Sequence, residues 1–295
     1  MKLSTSHSLY GKDPATGKAV APLTCLEELK RVGYDSVDID LWGLCGPGKP
    51  MWEDGWEAVV EAFGVASEET GLPIWQTHGD AYTGTQWDDP NFPYHEQRHT
   101  ATLRCVEATG RLGADCMVIH PFNLAHTTRY SQRENREACL RYLAPYIEAA
   151  KKASVRLAVE NMVDFGRRQR RYCGGDIDEL LDLVDTINDP DVGICIDTGH
   201  ANISGLCAGE AIRAAGKRLI ALHINDNHAK VGADEHLLPY LGDVDWPDVM
   251  RALAEVDYKG HFTYELHALS VPETLRDQWL GYTVQVGRAL LSMLQ

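Results

Sequence analysis

The sequence predicts a parallel (β/α)8 barrel forming a single domain over residues 1–295. Three observations carry this. Short runs rich in Val and Ile alternate eight times with longer segments of helical period, the longest loops follow strands rather than helices, and no Pro- or Ser-rich linker or low-complexity tract divides the chain. Eight strand–helix pairs in regular order favour a parallel sheet with its helices outside, and long loops after strands belong to the C-terminal face of such a barrel.

The strands are expected near 2–8, 36–42, 73–79, 116–121, 155–161, 192–198, 219–225 and 260–266. Helices are expected over 23–32, 56–70, 95–112, 133–153, 177–187, 210–217, 246–256 and 274–294. The long connections are then 43–55, 79–94, 121–132, 161–175 and 225–243. In a barrel strand one phase of side chains faces the interior and the other packs under the helices. Val155, Leu157 and Val159 share a phase opposed to Ala158 and Glu160, and Ile194 and Ile196 oppose Gly193, Cys195 and Asp197. Ile220, Leu222 and Ile224 oppose Ala221 and His223, while Phe262 and Tyr264 oppose Thr263 and Glu265. Four strands thus carry small residues inward and end on one inward polar group.

Composition sets the class. Hydrophobic residues make up 44% and charged residues 24%, the balance of a globular chain with a large core. A net charge of -15 works against nucleic acid or anionic lipid as a partner. The eight cysteines form no C-x-x-C pair and several sit in apolar runs, so they are read as reduced thiols of a cytoplasmic protein. No stretch of 18 apolar residues and no basic leader followed by an apolar run is found, which fits a soluble, unexported protein.

Glu160, Asp197, His223 and Glu265 are expected to converge on one point. A lone acid or histidine at a strand end is usually a cap or a loop anchor, but three carboxylates brought together repel and raise one another's pKa unless a cation sits among them. The oxygen-dominated set suits Mn2+, with Mg2+, Co2+ and Zn2+ as alternatives. His78 and His120 end two earlier strands in the same inward phase, His200 follows Asp197 by three residues, and Asp234 and His236 lie in the loop after His223. These five read as substrate contacts or as groups that orient the ligands, with further metal binding as the alternative. His95, His99, His126, His228, His261 and His267 read as surface, loop or structural residues.

Across nearly the whole chain these residues resemble the sugar phosphate isomerase/epimerase superfamily of xylose-isomerase-like barrels. The superfamily also contains tagatose/psicose 3-epimerases, inosose dehydratase and metal-dependent apurinic endonucleases. The resemblance rests on Val159-Glu160-Asn161, Asp197-Thr198-Gly199-His200, His223-Ile224-Asn225-Asp226, Asp234-Glu235-His236 with Gly242-Asp243-Val244-Asp245-Trp246, and Tyr264-Glu265-Leu266-His267. It implies one divalent metal on Glu160, Asp197, His223 and Glu265, with the two glutamates also acting as acid and base on a small carbohydrate. Proton abstraction beside a carbonyl through a metal-stabilised enediolate then leads to epimerisation, isomerisation or loss of a hydroxyl. Homo-oligomers are common in the superfamily, but no segment here marks an interface.

Two departures stand out. The 3-epimerases carry an arginine in the loop after the metal histidine, where this chain reads Asp226-Asn227-His228-Ala229-Lys230. The run Gly166-Arg167-Arg168-Gln169-Arg170-Arg171 puts four arginines on the expected catalytic face; it is read either as an anchor for an anionic substrate group or as a solvated or partner-binding loop. The main rival function is a phosphodiesterase of the apurinic-endonuclease type, whose metal cluster the nine residues named above would also match. Net charge weighs against it. A dehydratase or other lyase on a keto-sugar or cyclitol, and a non-catalytic sugar-binding barrel, are the remaining alternatives.

Overall fold

Parallel pairing links eight strands in the order β10-β1-β2-β3-β4-β5-β8-β9. The strands are β1 Leu3–Ser6, β2 Ser36–Asp40, β3 Ile74–His78, β4 Cys116–Ile119, β5 Arg156–Glu160, β8 Val192–Asp197, β9 Leu219–His223 and β10 Phe262–Tyr264. The ring closes between β9 and β10 through a parallel bridge from Ile224 to Tyr264, where the Ile224 N–H donates to Thr263 O at 2.8 Å and the Glu265 N–H to Ile224 O at 3.1 Å. The computed structural model describes residues 1–13, 16–80, 94–122, 124, 130–165, 170–230, 232–267 and 271–294.

Among the described residues, eight helices pack outside the ring: α1 Pro22–Val32, α2 Glu57–Thr70, α3 His95–Arg111, α4 Gln132–Ala153, α5 Ile177–Ile187, α7 Ala208–Ala215, α8 Trp246–Glu255 and α9 Glu273–Ser292. A ninth, α6 Thr198–Ile203, follows β8 directly at the C-terminal face. Its start is local chemistry, because Asp197 caps it by accepting the His200 N–H. Among the described residues, no helix is long and apolar enough to cross a membrane.

The expected barrel is thus present, with strands shorter than apolar patterning suggests because the ladder hydrogen bonds stop before the apolar run does. A short antiparallel pair, β6 Asp164–Phe165 with β7 Arg170–Arg171, was not expected within the loop after β5. Arg167 and Arg168 lie outside the described residues.

The alternation of side chains divides the core in two. Leu157, Val159, Ile194, Ile196, Leu222 and Ile224 belong to the large cluster under the helices, whereas Cys116, Val118, Ala158, Cys195 and Ala221 form a small one inside the ring. The other half of the interior is polar. Gln76 Nε2 donates to Asp38 Oδ2 at 3.0 Å, and Thr263 Oγ1 donates to Gln76 Oε1 at 3.3 Å. The eight cysteines are free thiols and seven are buried, serving as small apolar residues.

One buried carboxylate fastens the loop after β9. Asp226 Oδ1 accepts the N–H of Asn227 (2.9 Å) and of Val244 (3.0 Å), while Oδ2 accepts the Tyr240 N–H and Trp246 Nε1, both at 2.9 Å. Asp226 also exchanges both main-chain hydrogen bonds with Leu237. Gly242 passes so close that a Cβ there would sit 2.4 Å from Asp226 Oδ1. Replacing Asp226 by Ala strips four donors of their acceptor in a buried place, so urea unfolding should show a loss on the order of 3 kcal/mol. A loss under about 1 kcal/mol would mean that other contacts hold this loop.

Candidate active site

Glu160 ends β5, Asp197 ends β8, His223 ends β9 and Glu265 lies one residue beyond β10. Each offers one ligand atom such that the four atoms lie within 4.8 Å of one another. His223 Nδ1 is 2.9 Å from Glu160 Oε1 and 3.3 Å from Glu265 Oε2. The two glutamates differ in access: the Glu160 side chain is 1% exposed and that of Glu265 is 23% exposed, so Glu265 is the one that faces the mouth.

The neighbours that hold Asp197 are asparagines. Asn161 Oδ1 accepts the Asp197 N–H at 2.6 Å and Asn161 Nδ2 donates to Asp197 O at 3.1 Å, locking the ends of β5 and β8 together. Asn225 Nδ2 donates to Asp197 Oδ2 at 2.6 Å, while Oδ1 accepts the His200 N–H at 2.7 Å. Gly199 lets this happen, since a Cβ there would lie 1.9 Å from Asn225 Oδ1.

The five further residues singled out in the sequence surround these four. His120 Nε2 and His78 Nε2 lie 3.0 and 3.4 Å from Glu160 Oε2, a buried atom that no hydrogen bond satisfies. On the other side His200 Nε2 and His236 Nε2 lie 3.2 and 3.0 Å from Asp234 Oδ2. His78 with His120 and Glu160, and His200 with Asp234 and His236, are themselves groups of ligand atoms within 4.8 Å.

Three of these imidazoles have their tautomer set by the main chain. His78 Nδ1 faces Gly79 O (2.9 Å), His200 Nδ1 faces Asn161 O (2.8 Å) and His236 Nδ1 faces Glu265 O (2.9 Å). A carbonyl only accepts, so each Nδ1 carries the proton and each neutral ring turns its Nε2 lone pair toward a carboxylate oxygen. Two acceptors facing each other require a positive charge between them. In the protein alone that charge is a proton: although burial and His223 oppose it, Glu160 and Glu265 raise the His78 pKa to about 9, and against burial Glu265 and Asp234 raise His236 to about 10.

The carboxyls respond in opposite directions. Burial works against the Glu160 charge, yet His223 and His120 hold its carboxyl well below the usual range. Burial pushes Glu265 up to about 7, with Glu160 and Asp197 adding to the rise against the pull of His223 and His236. A divalent cation fits this set on two counts: it would satisfy the unpaired Glu160 Oε2, and it would replace the protons that the convergent carboxylates draw onto the histidines.

Sequence reasoning passed over four participants. Asp38 sits in the inward phase of β2, 3.6 Å from His223 Nε2, and its alternation with Val37 and Ile39 is the same signal that marked Glu160. Asn161 and Asn225 stood within the motifs but their hold on Asp197 crosses between strands. Trp42, in the turn after β2, stacks on His78 with ring centroids 5.9 Å apart.

Residues 26–282 match the family model of the xylose isomerase-like TIM barrel. The chain belongs to this family. Within it, the chain is 28% identical over 282 residues to an uncharacterized protein of Mycobacterium leprae, covering 90% of this chain and 91% of that one. It is 27% identical over 165 residues to the D-psicose 3-epimerase of Enterocloster bolteae, covering 56% of this chain and about half (49%) of the epimerase. Among solved structures, a D-tagatose 3-epimerase-like protein superposes with a TM-score of 0.77 at 18% identity, covering 100% of this chain and 98% of that one. This last likeness is one of fold.

In this xylose isomerase-like barrel, Gly199→Ala drives a methyl group into Asn225 and so frees Asp197 Oδ2. Calorimetric titration with Mn2+ should show affinity about 10- to 100-fold weaker than in the wild type, as for other losses of a group that orients a ligand. Unchanged affinity would separate Asn225 from metal binding.

Proposed function

We propose that this chain is a metal-dependent isomerase or epimerase of a sugar, ketose or sugar derivative. Glu160, Asp197, His223 and Glu265 hold one divalent cation, for which an oxygen-rich set makes Mn2+ the best match and Mg2+, Co2+ or Zn2+ alternatives. The observation that carries the reading is the convergence of two glutamates, one aspartate and one histidine from four strand ends within 4.8 Å. The partial likeness to a D-psicose 3-epimerase supports the substrate class.

A cation bound there polarises a substrate carbonyl and its neighbouring hydroxyl, so that the adjacent C–H becomes acidic. The remaining work falls to side chains. One of Glu160 and Glu265 takes the proton from carbon and the other supplies one from the opposite side. Return to the same carbon inverts it, delivery to the neighbouring carbon isomerises, and departure of a β-hydroxyl makes the reaction a dehydration. His78, His120, His200, Asp234 and His236 contact substrate hydroxyls and keep the four ligands oriented.

A second reading is favoured by one specific observation. The pinned tautomers of His78, His200 and His236 aim lone pairs at Glu160 and Asp234 in two flanking groups, each of a size to hold a cation of its own. A phosphodiesterase of the apurinic-endonuclease type would use such a cluster.

Elemental analysis separates the two. The isomerase reading expects about one metal ion per chain, reduced in Glu265→Gln, whereas two or three zinc ions per chain would favour the phosphodiesterase. Proton exchange gives an independent check. A ketohexose incubated with the metal-loaded protein in D2O should gain deuterium beside its carbonyl, and Glu265→Gln should slow this by about 10²- to 10⁴-fold. Bound metal without any exchange in a panel of sugars and cyclitols would point to a non-catalytic barrel.

A further inference from the structure

We propose that Trp42 is the stacking wall of this site, the surface against which the carbon-bound hydrogens of a neutral open-chain sugar are laid. The assignment rests on the sugar reading above and adds how the substrate is held.

Trp42 is 41% exposed although it directly follows a fully buried residue, Leu41. Loose packing does not explain this exposure, because the turn that carries the indole is fastened at each residue. The Asp40 N–H donates to His7 Nδ1 at 3.0 Å, Asp40 Oδ1 accepts the Gly43 N–H at 2.8 Å, and the Cys45 N–H donates to Trp42 O at 2.9 Å. Lys49 Nζ reaches Gly43 O at 2.8 Å. At Gly43 the turn closes tightly on Asp40, since a Cβ there would lie 2.7 Å from Asp40 Oδ2. The backbone is therefore fixed while a large apolar ring is left partly open to solvent.

The direction of that ring gives it a use. Its plane lies at 30° to the His78 imidazole with centroids 5.9 Å apart, and at 6.2 Å from the His120 ring. Both imidazoles turn Nε2 to Glu160 Oε2. The indole therefore borders the acid–base group on the Glu160 side, while the more open Glu265 borders the other. A sugar bound between the two glutamates needs polar partners for its hydroxyls and an apolar surface for its carbon-bound hydrogens. The histidines and carboxylates offer only the first, and the electron-rich face of an indole offers the second. Placed beside the histidines, the same ring also shields Glu160 from water.

The test is calorimetric titration of the Mn2+-loaded protein with D-tagatose, D-fructose and D-psicose, comparing wild type, Trp42→Ala and Trp42→Phe, with metal content measured alongside. The expected result is a Kd raised about tenfold or more in Trp42→Ala and largely restored in Trp42→Phe, at unchanged Mn2+ content. Trp42→Ala binding as tightly as wild type overturns the assignment and leaves the sugar reading intact. Loss of Mn2+ together with sugar in Trp42→Ala also overturns it, making Trp42 a prop for His78. Wild-type protein that binds none of the three ketohexoses overturns the sugar reading on which the assignment stands.

Discussion

Three carboxylates and an imidazole gathered at one point, all but Glu265 buried, are the constraint around which the rest of this barrel is arranged. Like charges gathered out of water cost several kcal/mol unless opposite charge is placed among them. In the protein alone His78, His200 and His236 provide it by taking up protons, and the main-chain carbonyls opposite their Nδ1 atoms ensure that those protons face the carboxylates. The same arrangement presents lone pairs to a metal ion once the protons leave. Binding of a cation at this point would therefore be coupled to deprotonation of those histidines.

Holding Asp197 still is a task for uncharged side chains. Asn161 ties the ends of β5 and β8, Asn225 reaches Asp197 from the strand beyond, and Gly199 makes room for it. Asp226, one residue further on, turns its carboxylate away from the cluster and spends it on four N–H groups of the following loop. That loop returns Asp234 and His236 to the site, His236 in the left-handed region at φ +46°. Two adjacent residues, Asn225 and Asp226, thus serve Asp197 and the loop separately, because successive side chains after a strand point to opposite sides.

The order of strands and helices was legible because each barrel unit repeats the same local physics. Apolar residues on one phase of a short strand have to meet apolar residues on a helix, and that requirement is written within some 30 residues. Strand limits were less legible, since the ladder ends where hydrogen-bonding partners end rather than where apolar residues do. The short helix at Thr198–Ile203 is less legible because its capping residue, Asp197, is also the last residue of β8. The two carboxylate oxygens of Asp197 are divided, Oδ1 accepting the His200 N–H and Oδ2 accepting from Asn225 Nδ2.

By itself the sequence determined the class of fold and the inward phase of Glu160, Asp197, His223 and Glu265, because alternation along a strand is a property of neighbouring residues. The tertiary structure decided what lies across the barrel from them. The approach of Asp38 to His223, of His200 to Asp234, and of the Trp42 indole to His78 join residues from 34 to 185 positions apart in the chain. Such distances depend on how eight twisted strands close into a ring, and no local pattern encodes that closure.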